Sequence, residues 1–137
     1  MIPNIPFYFM FRSFTRSAGH LRHMSGTASQ IIKSSEAPGP IEELIISKIT
    51  AHLKPSFLKI ANDSHKHSHH QPMQEASNVK ESHFRLDVVS EEFKGKNMPA
   101  RHRLIYLLLD DEFQNKGLHA LQMKTKTAEE AEKTKRR

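Results

Sequence analysis

The sequence has 137 residues, a formal net charge of +6 at pH 7 and no cysteine. A chain of this length holds one ordinary domain with short ends. Without cysteine it can form no disulfide, no zinc finger and no iron–sulfur site that is complete within the chain. No apolar run approaches the ~20 residues of a membrane-spanning helix, so we expect no membrane partner.

The excess of positive charge lies at the two ends of the chain. Residues 39–123 contain equal numbers of basic and acidic residues, whereas residues 1–38 and the tail from Lys124 are both basic. Binding to a phosphate backbone depends on clustered Lys and Arg. The neutral middle therefore makes nucleic acid a less favoured partner for the folded part.

Residues 1–38 have the composition of an organellar transit peptide. They contain no acid before Glu36, are rich in Ser and Thr, and mix arginine with Phe, Ile and Met, which is typical of such targeting segments. The alternative is a disordered end without a targeting role. A second start at Met24 would give a shorter cytosolic or nuclear form.

The first predicted element is a helix in the stretch GPIEELIISKITAHLKP. Pro40 suits a first helical turn, Glu42 and Glu43 lie at its positive end, and Pro55 prevents its continuation. The apolar residues recur at helical spacing and form one stripe; they are Ile41, Leu44, Ile45, Ile49 and Leu53. We therefore expect a helix with one buried face.

Two strands follow, with a long polar loop between them. The stretch SFLKIAN alternates well enough for a short strand, and HFRLDVV alternates more clearly, with Phe84, Leu86 and Val88 on one face. The loop from Asp63 to Glu81 has no hydrophobic period. Loops of that length in small domains are usually functional or disordered.

A second helix and a third strand complete the predicted domain. Asn97 and Pro99 mark the helix start, and ARHRLIYLLLDDEF forms its body, with basic residues first and acidic residues last, against the helix dipole. After Gly117, LHALQMK predicts a strand and TAEEAEKTKRR a polar final helix. The order α–β–β–α–β–α predicts an α+β fold whose three-stranded mixed sheet is covered by helices. Its first two strands pair antiparallel, and the third pairs parallel to one of them.

The loop carries the histidine-rich stretch HKHSHH, residues 65–70. Imidazole is a common metal ligand. A chain without thiolates must bind a metal through histidine alone or combine its histidines with sulfur from a partner. The alternative is a solvated tract that binds zinc, copper or nickel without biological purpose.

Three stretches, in order along the chain, resemble the BolA-like family. They are SHFRLDVVSEEFKG, RHRLIYLLLDDE and LHALQMKT, and the resemblance covers residues 40–126. The presequence-like start and NDSHKH in the loop are similar to the mitochondrial branch of eukaryotic members. The resemblance implies a fold similar to class II KH domains over residues 39–127. A mitochondrial transit peptide (1–38) would precede it, a basic tail or helix (128–137) would follow, and the matrix would be its location.

The resemblance also implies a non-catalytic role in iron–sulfur assembly or iron regulation. Family members bind monothiol glutaredoxins and share a glutathione-ligated [2Fe–2S] cluster with them. The isolated chain is then expected to be a monomer without a cluster, and iron–sulfur client proteins are further expected partners. One cluster ligand would be His119, and the second would be His67, with His65, His69 and His70 as alternatives.

The main alternative is a nucleic-acid-binding transcriptional regulator. Arg101, His102 and Arg103, with Lys94 and Lys96 nearby and the basic tail, could contact phosphates. The same residues could instead contact glutathione or an acidic glutaredoxin face. KH domains clamp the nucleic-acid backbone with a GXXG loop, and this chain shows only GKNM.

An enzyme is not expected. The sequence has no cysteine nucleophile, no Gly-rich phosphate loop, no G-x-S-x-G and no His-Glu-x-x-His. Ser64 beside His65 is adjacency along the chain, which does not orient a base toward a nucleophile. His83 alternates outward on its strand, which favours a surface role over metal ligation.

Overall fold

The computed structural model describes residues 28–66 and 80–137. The strands in these ranges are β1 (Gln30–Ile32), β2 (Phe57–Asn62), β3 (His83–Val89) and β4 (Ala120–Lys126). The helices are α1 (Pro40–Leu53), α2 (Met98–Leu108), α3 (Asp110–Asn115) and α4 (Ala128–Lys135), and Ser64–Lys66 and Glu91–Phe93 form short 3-10 turns. No helix in these ranges is both long and apolar enough to cross a membrane.

The strands form one mixed sheet in the order β1–β2–β3–β4. Strand β2 pairs antiparallel with β3, and β4 pairs parallel with β3. These pairings confirm the predicted α+β fold and the mixed directions of its sheet. Burial alternates along β2 and β3, so one sheet face is buried and the other is solvated.

The predicted number of three strands is wrong, because β1 adds a fourth. Gln30 pairs with Phe57 and Ile32 with Lys59, in parallel with β2. All three β1 residues are exposed, so the sequence shows no alternation that would mark a strand there. The strand forms because the outer edge of β2 offers backbone partners. It lies inside the range that was predicted to be a transit peptide, 1–38.

One apolar core lies between the buried sheet face and helices α1 and α2. Each large side chain that it removes from water stabilises the fold by about 1.5–3 kcal/mol. The core consists of Ile41, Ile45, Ile46, Ile49, Leu53, Leu58, Ile60, Phe84, Leu86, Val88, Phe93, Ile105, Leu109, Leu118 and Leu121.

The start of α1 is capped by a residue from the far end of the histidine loop. The Glu81 carboxylate accepts hydrogen bonds from the backbone N–H of Ile41 and of Glu42, each at 3.1 Å. Gly39 makes this approach possible, since a Cβ there would lie 2.2 Å from Glu81 Oε1. The cap replaces the side-chain cap that Gly39 lacks and fixes the chain immediately before β3.

The predicted second helix is divided into two at Leu109. The backbone of Leu109 has φ −104° and ψ 15°, which ends α2 and begins α3. Asp110, Asp111 and Glu112 therefore lie in the first turn of α3, where the helix dipole favours acids. The unfavourable acidic end inferred from the sequence is thus absent, because the acids do not belong to α2.

The basic tail forms α4, which begins with a capping box. The Thr127 side chain accepts from the Glu130 N–H, and the Glu130 carboxylate accepts from the Thr127 N–H. This reciprocal arrangement satisfies two backbone donors at the helix start. Glu130 also binds Arg101 of α2, so α4 is attached to the rest of the fold.

Candidate functional site

Two histidines lie side by side where β3 and β4 begin. The parallel register pairs His83 with Ala120, which brings the preceding residue, His119, next to His83. Their ring centroids are 5.3 Å apart, and the rings are tilted by 44°. His119 is exposed and His83 is half-buried. The pair therefore presents two imidazoles at one end of the sheet.

Ser82 holds both histidines in place. Its carbonyl oxygen accepts hydrogen bonds from the backbone N–H of His119 at 2.8 Å and of Ala120 at 3.0 Å. Its Oγ lies 2.9 Å from His83 Nδ1. A hydrogen bond at one ring nitrogen fixes the orientation of the imidazole and selects its tautomer. The pair is thus positioned by a residue that is itself fully buried.

Ser64 connects this pair to the beginning of the histidine loop. Its buried Oγ accepts from the N–H of Ser82 at 3.0 Å and from the N–H of His83 at 3.1 Å. Asn62 accepts from the Ser64 N–H at 3.0 Å and donates to the Lys80 carbonyl at 2.9 Å. Both ends of the loop are therefore held together beside the two imidazoles.

A carboxylate stands at the same end of the sheet. Asp63 forms ion pairs with Lys66 at 2.8 Å and with Arg85 at 3.2 Å. The hydrogen bond from Lys66, with the charges of Arg85 and Lys66, holds the Asp63 pKa below its usual value. The carboxylate is therefore charged at neutral pH and neutralised by its two partners.

Of the histidines predicted in the loop, only His65 belongs to the described residues. It is exposed and directly follows the buried Ser64 in the 3-10 turn. The other three, His67, His69 and His70, lie outside the described residues. Within residues 28–66 and 80–137, no three His, Asp or Glu side chains cluster to hold a metal ion. Two adjacent imidazoles fit a metal group whose remaining ligands come from elsewhere.

His83 was not predicted as a site residue. Its outward position on β3 was predicted correctly, but outward alternation says nothing about which strand lies alongside. The signal is the register: because β3 and β4 run in parallel and begin at the same level, their first residues are neighbours. Ser64 and Ser82 were missed for a related reason, since their roles depend on hydrogen bonds between distant parts of the chain.

The basic residues predicted as partner contacts divide into buried and exposed members. Arg101 is only 6% exposed. Its Nη1 donates to Glu130 at 2.7 Å and its Nη2 to the same carboxylate at 2.9 Å. Its Nε donates to the Lys96 carbonyl at 2.8 Å. Arg101 is therefore not available for the contact with a partner or a nucleic acid that the sequence predicted, because its buried guanidinium is bonded within the fold.

The remaining basic residues differ in accessibility. Arg103, Lys94 and Lys96 are exposed. His102 is half-buried, and its buried Nε2 has no hydrogen-bond partner among the described residues. The Arg-His-Arg stretch thus offers one exposed cation rather than two, which weakens it as a phosphate-binding element.

Comparison with known proteins identifies the family. The model of the BolA-like protein family matches residues 49–130. The chain is 47% identical over 90 residues to the UV-induced protein uvi31 of Schizosaccharomyces pombe. The matched stretch covers 65% of this chain and 87% of that protein. It is 39% identical over 90 residues to the DNA-binding transcriptional regulator BolA of Vibrio cholerae, covering 66% of this chain and 77% of that protein.

An organellar plant protein and a solved structure agree with this assignment. SufE-like protein 1, chloroplastic/mitochondrial, of Arabidopsis thaliana is 41% identical over 87 residues, covering 63% of this chain but only 23% of that longer protein. The solved BolA domain of SufE1 from Arabidopsis thaliana superposes with a TM-score of 0.60 at 39% identity, covering 69% of this chain and 99% of that domain. The chain belongs to the BolA-like protein family.

Proposed function

We propose that this chain is a non-catalytic factor in iron–sulfur assembly or iron regulation. It binds a monothiol glutaredoxin and shares the glutathione-ligated [2Fe–2S] cluster of that partner through His119 and a second histidine. The observation that carries the proposal is the His83–His119 pair, an exposed imidazole beside a half-buried one in a chain without cysteine. The cluster is cargo, and the apo chain is proposed to be a monomer.

The ligand chemistry supports a shared cluster rather than a resident metal. The two imidazoles leave most coordination positions to be filled from outside the described residues, and a glutaredoxin with glutathione supplies thiolates. Exchanging thiolate for neutral imidazole removes negative charge from a cluster and raises its reduction potential. A cluster shared in this way would differ in potential and in stability from one held between two glutaredoxins.

The candidates for the second ligand are His83 and the loop histidines. His83 lies next to His119 and is held by Ser82. His67 comes directly after Lys66 in the sequence and lies outside the described residues, as do His69 and His70, whereas His65 lies in the 3-10 turn. We therefore propose His119 as one ligand of the shared cluster. Substitution of His83 and of a loop histidine decides which of them is the second.

The proposed location is the mitochondrial matrix. The acid-poor, arginine-containing start of the sequence supports this location. So does the name of the plant relative, which is assigned to chloroplasts and mitochondria. Fusion of residues 1–38 to a fluorescent protein tests the location, and substitution of Met24 tests a shorter cytosolic or nuclear form.

The test is a titration followed by visible absorption and circular dichroism. The full chain is added to a glutathione-loaded, cluster-bearing monothiol glutaredoxin, and the wild type is compared with His119→Ala, His83→Ala and His67→Ala. His52→Ala is the matched control, because His52 is an exposed histidine in the last turn of α1. The proposal predicts a new cluster spectrum with the wild type and His52→Ala that is lost with His119→Ala.

The outcomes separate the ligands from the function. Loss of the new spectrum with His83→Ala alone assigns the second ligand to β3, whereas loss with His67→Ala alone assigns it to the loop. If the wild type binds the glutaredoxin but the spectrum is the same for wild type and His119→Ala, cluster sharing through this site is refuted.

A second candidate is a nucleic-acid-binding regulator, which the name of the Vibrio cholerae relative favours. Its exposed contacts would be Arg103, Lys94, Lys96 and the basic tail. Such binding weakens steeply with salt, with a log–log slope proportional to the number of phosphates contacted. Electrophoretic mobility shifts between 50 and 200 mM salt, roughly the range over which this dependence is resolved, test it with a duplex and a single strand.

A further inference from the structure

Residues 29–34, which we call the strap, are bonded to the folded domain although they precede its first helix. At the beginning of the strap, Ser29 Oγ donates to the Pro55 carbonyl at 2.6 Å, and the Gln30 N–H donates to the Ser56 carbonyl at 3.0 Å. Its middle is strand β1, which pairs with β2. The strap is therefore held by the segment that connects α1 to β2 and by β2 itself.

The end of the strap supplies hydrogen-bond partners to a buried carboxylate. Glu42, in the first turn of α1, is only 1% exposed. Its Oε1 accepts from the Ser34 N–H at 2.8 Å, and its Oε2 accepts from the Ser34 hydroxyl. Lys33 Nζ forms an ion pair with the neighbouring Glu43 at 2.8 Å. Because a buried charge is costly unless it is hydrogen-bonded, Ser34 stabilises the start of α1.

The strap also covers one edge of the sheet. Ile31 lies opposite Leu58, which is a fully buried core residue. Strand β3 occupies the other side of β2, so loss of β1 would leave the first side of β2 without its strand partner. An unpaired strand edge favours association with other chains. Retention of the strap therefore supports the monomeric apo state proposed above.

The targeting character of the sequence ends before the strap begins. Arg12, Arg16 and Arg22 are the arginines of residues 1–38, and every aromatic residue of that range also precedes His23. Arginines mixed with apolar residues, without acids, are typical of organellar targeting segments. The features that would direct import are thus confined to residues 1–22, and residues 29–34 belong to the folded domain.

We propose that the targeting segment is removed by hydrolysis of one peptide bond between Arg22 and Ser29, so that the mature protein keeps the strap. A processing peptidase of the organelle adds water across this bond, which leaves a carboxylate on the released segment and an amino group on the mature chain. This assignment rests on the organellar location proposed above. It moves the end of the targeting segment from residue 38, the boundary predicted from composition, to a position before Ser29.

The contacts of the strap are the reason for this position. A cut at residue 38 would take Ser34 away from Glu42 and β1 away from β2. A cut before Ser29 preserves both contacts. A form that starts at Met24 also keeps the strap, so processing and a second start would give the same folded domain.

Import of the full chain into isolated mitochondria tests the position of the cut. The chain carries a carboxyl-terminal affinity tag, and the imported product is labelled at its free amino terminus and identified by mass spectrometry. We expect its first residue to lie between His23 and Ser29. A first residue at Gln30 or later, or import without cleavage, overturns the proposal. Absence of import overturns the proposed location as well, whereas the cluster titration described above tests cluster sharing independently of both.

Limited digestion of the full chain with trypsin tests whether the strap is held by Ser34. Cleavage after Lys33 requires the strap to open, and its rate follows the population of the open form. Ser34→Ala removes one of the two hydrogen bonds to Glu42. We expect cleavage after Lys33 to be at least about fivefold faster in this variant than in the wild type.

Ser35→Ala is the matched control for the digestion. Ser35 is the next residue, is also exposed, and makes no side-chain hydrogen bond within residues 28–66 and 80–137. We expect it to be cut after Lys33 at the rate of the wild type. Equal rates for Ser34→Ala and Ser35→Ala would overturn the role of Ser34 and, with it, the structural reason for keeping the strap. Far-UV circular dichroism confirms that both variants are folded.

Discussion

Breaking the ion pair between Arg101 and Glu130 should reduce stability by a measurable and pH-dependent amount. The two residues belong to α2 and α4, and the carboxylate receives two guanidinium hydrogen bonds at 2.7 and 2.9 Å. Bidentate pairs of this kind are among the stronger ion pairs in proteins. The perturbation is a double-mutant cycle of Arg101→Met, Glu130→Gln and the two together.

The size of the coupling follows from the Glu130 pKa and its exposure. The hydrogen bond from Arg101, with one from the Thr127 backbone, lowers the Glu130 pKa from 4.5 to about 2. Without solvent screening, a shift of that size would be worth about 3 kcal/mol in total, and the interaction with Arg101, its largest cause, supplies only part of that. The Glu130 side chain is 45% exposed, so solvent screening reduces the coupling to about 1–2 kcal/mol.

The single substitutions should be unequal. Arg101→Met also removes the donors to the carbonyls of Lys96 and Thr125 and the contact of the guanidinium with the Phe93 ring, 5.8 Å from its centroid. We expect it to lower the free energy of unfolding by about 2–4 kcal/mol. Glu130→Gln keeps the shape of the side chain and should cost about 1–2 kcal/mol.

The pH dependence has a definite sign. Because the Glu130 pKa is lower in the folded chain than in the unfolded chain, its contribution is fully present above the unfolded value of 4.5. The contribution is lost as the pH falls from 4.5 toward the folded value of about 2. The difference in unfolding free energy between wild type and Glu130→Gln should therefore shrink on going from about pH 7 to about pH 3.

Urea unfolding followed by far-UV circular dichroism measures each corner of the cycle at both pH values. The denaturant dependence should be the same for all four proteins, so that midpoints report stability. A coupling energy below about 0.3 kcal/mol, which is within ordinary additivity, would refute the ion pair as a stabilising contact. A pH-independent difference between wild type and Glu130→Gln would refute the lowered pKa.

Three further substitutions test contacts that position the site and the fold. Ser64→Ala leaves the buried N–H of Ser82 and the part-buried N–H of His83 without their acceptor and should lower the free energy of unfolding in urea by about 1–3 kcal/mol; a loss below about 0.5 kcal/mol would contradict its role. Gly39→Ala places a methyl group against the Glu81 carboxylate. By weakening the α1 cap it should lower the free energy of unfolding by about 1–2 kcal/mol, which is measured as a lower thermal midpoint. An unchanged midpoint would show that the cap is dispensable. Lys48→Met removes the 2.8 Å partner of the fully buried Glu112 carboxylate and should cost about 2–4 kcal/mol. Adding Glu112→Gln should recover part of that loss, and no recovery would count against the buried pair.

The sequence was sufficient to predict the elements that bury one face. Helix α1 and strands β2, β3 and β4 all have apolar residues at a clear helical or alternating period, and the order of these elements predicted the strand directions correctly. Strand β1 could not be predicted because its residues are exposed and, among the described residues, its strand pairing is with β2. Pattern analysis detects fully buried positions, and β1 has none: Ile31 and Ile32 are 38% and 37% exposed.

The division between α2 and α3 could not be predicted from the spacing of apolar residues either. The apolar period continues through Leu108 and Leu109, so it predicts one helix, while the backbone turns at Leu109. The misplaced charges were the only sign of this break. Acids at the end of a helix that also begins with arginine violate the dipole preference twice. The structure resolves one violation by starting α3 at Asp110 and the other by pairing Arg101 with Glu130.

The candidate site depends on strand register, which the sequence pattern does not reveal. His119 was predicted as a ligand through the family resemblance and stays a prediction, and the structure places His83 next to it because two parallel strands begin at the same level. The roles of the two serines also depend on residues that are distant in sequence. The Ser82 carbonyl, immediately before β3, accepts from the His119 N–H, and the Ser64 Oγ, at the other end of the loop, accepts from the Ser82 N–H. A change in loop length need not move the histidine pair, since Asn62 and Ser64 hold the two ends of the loop together.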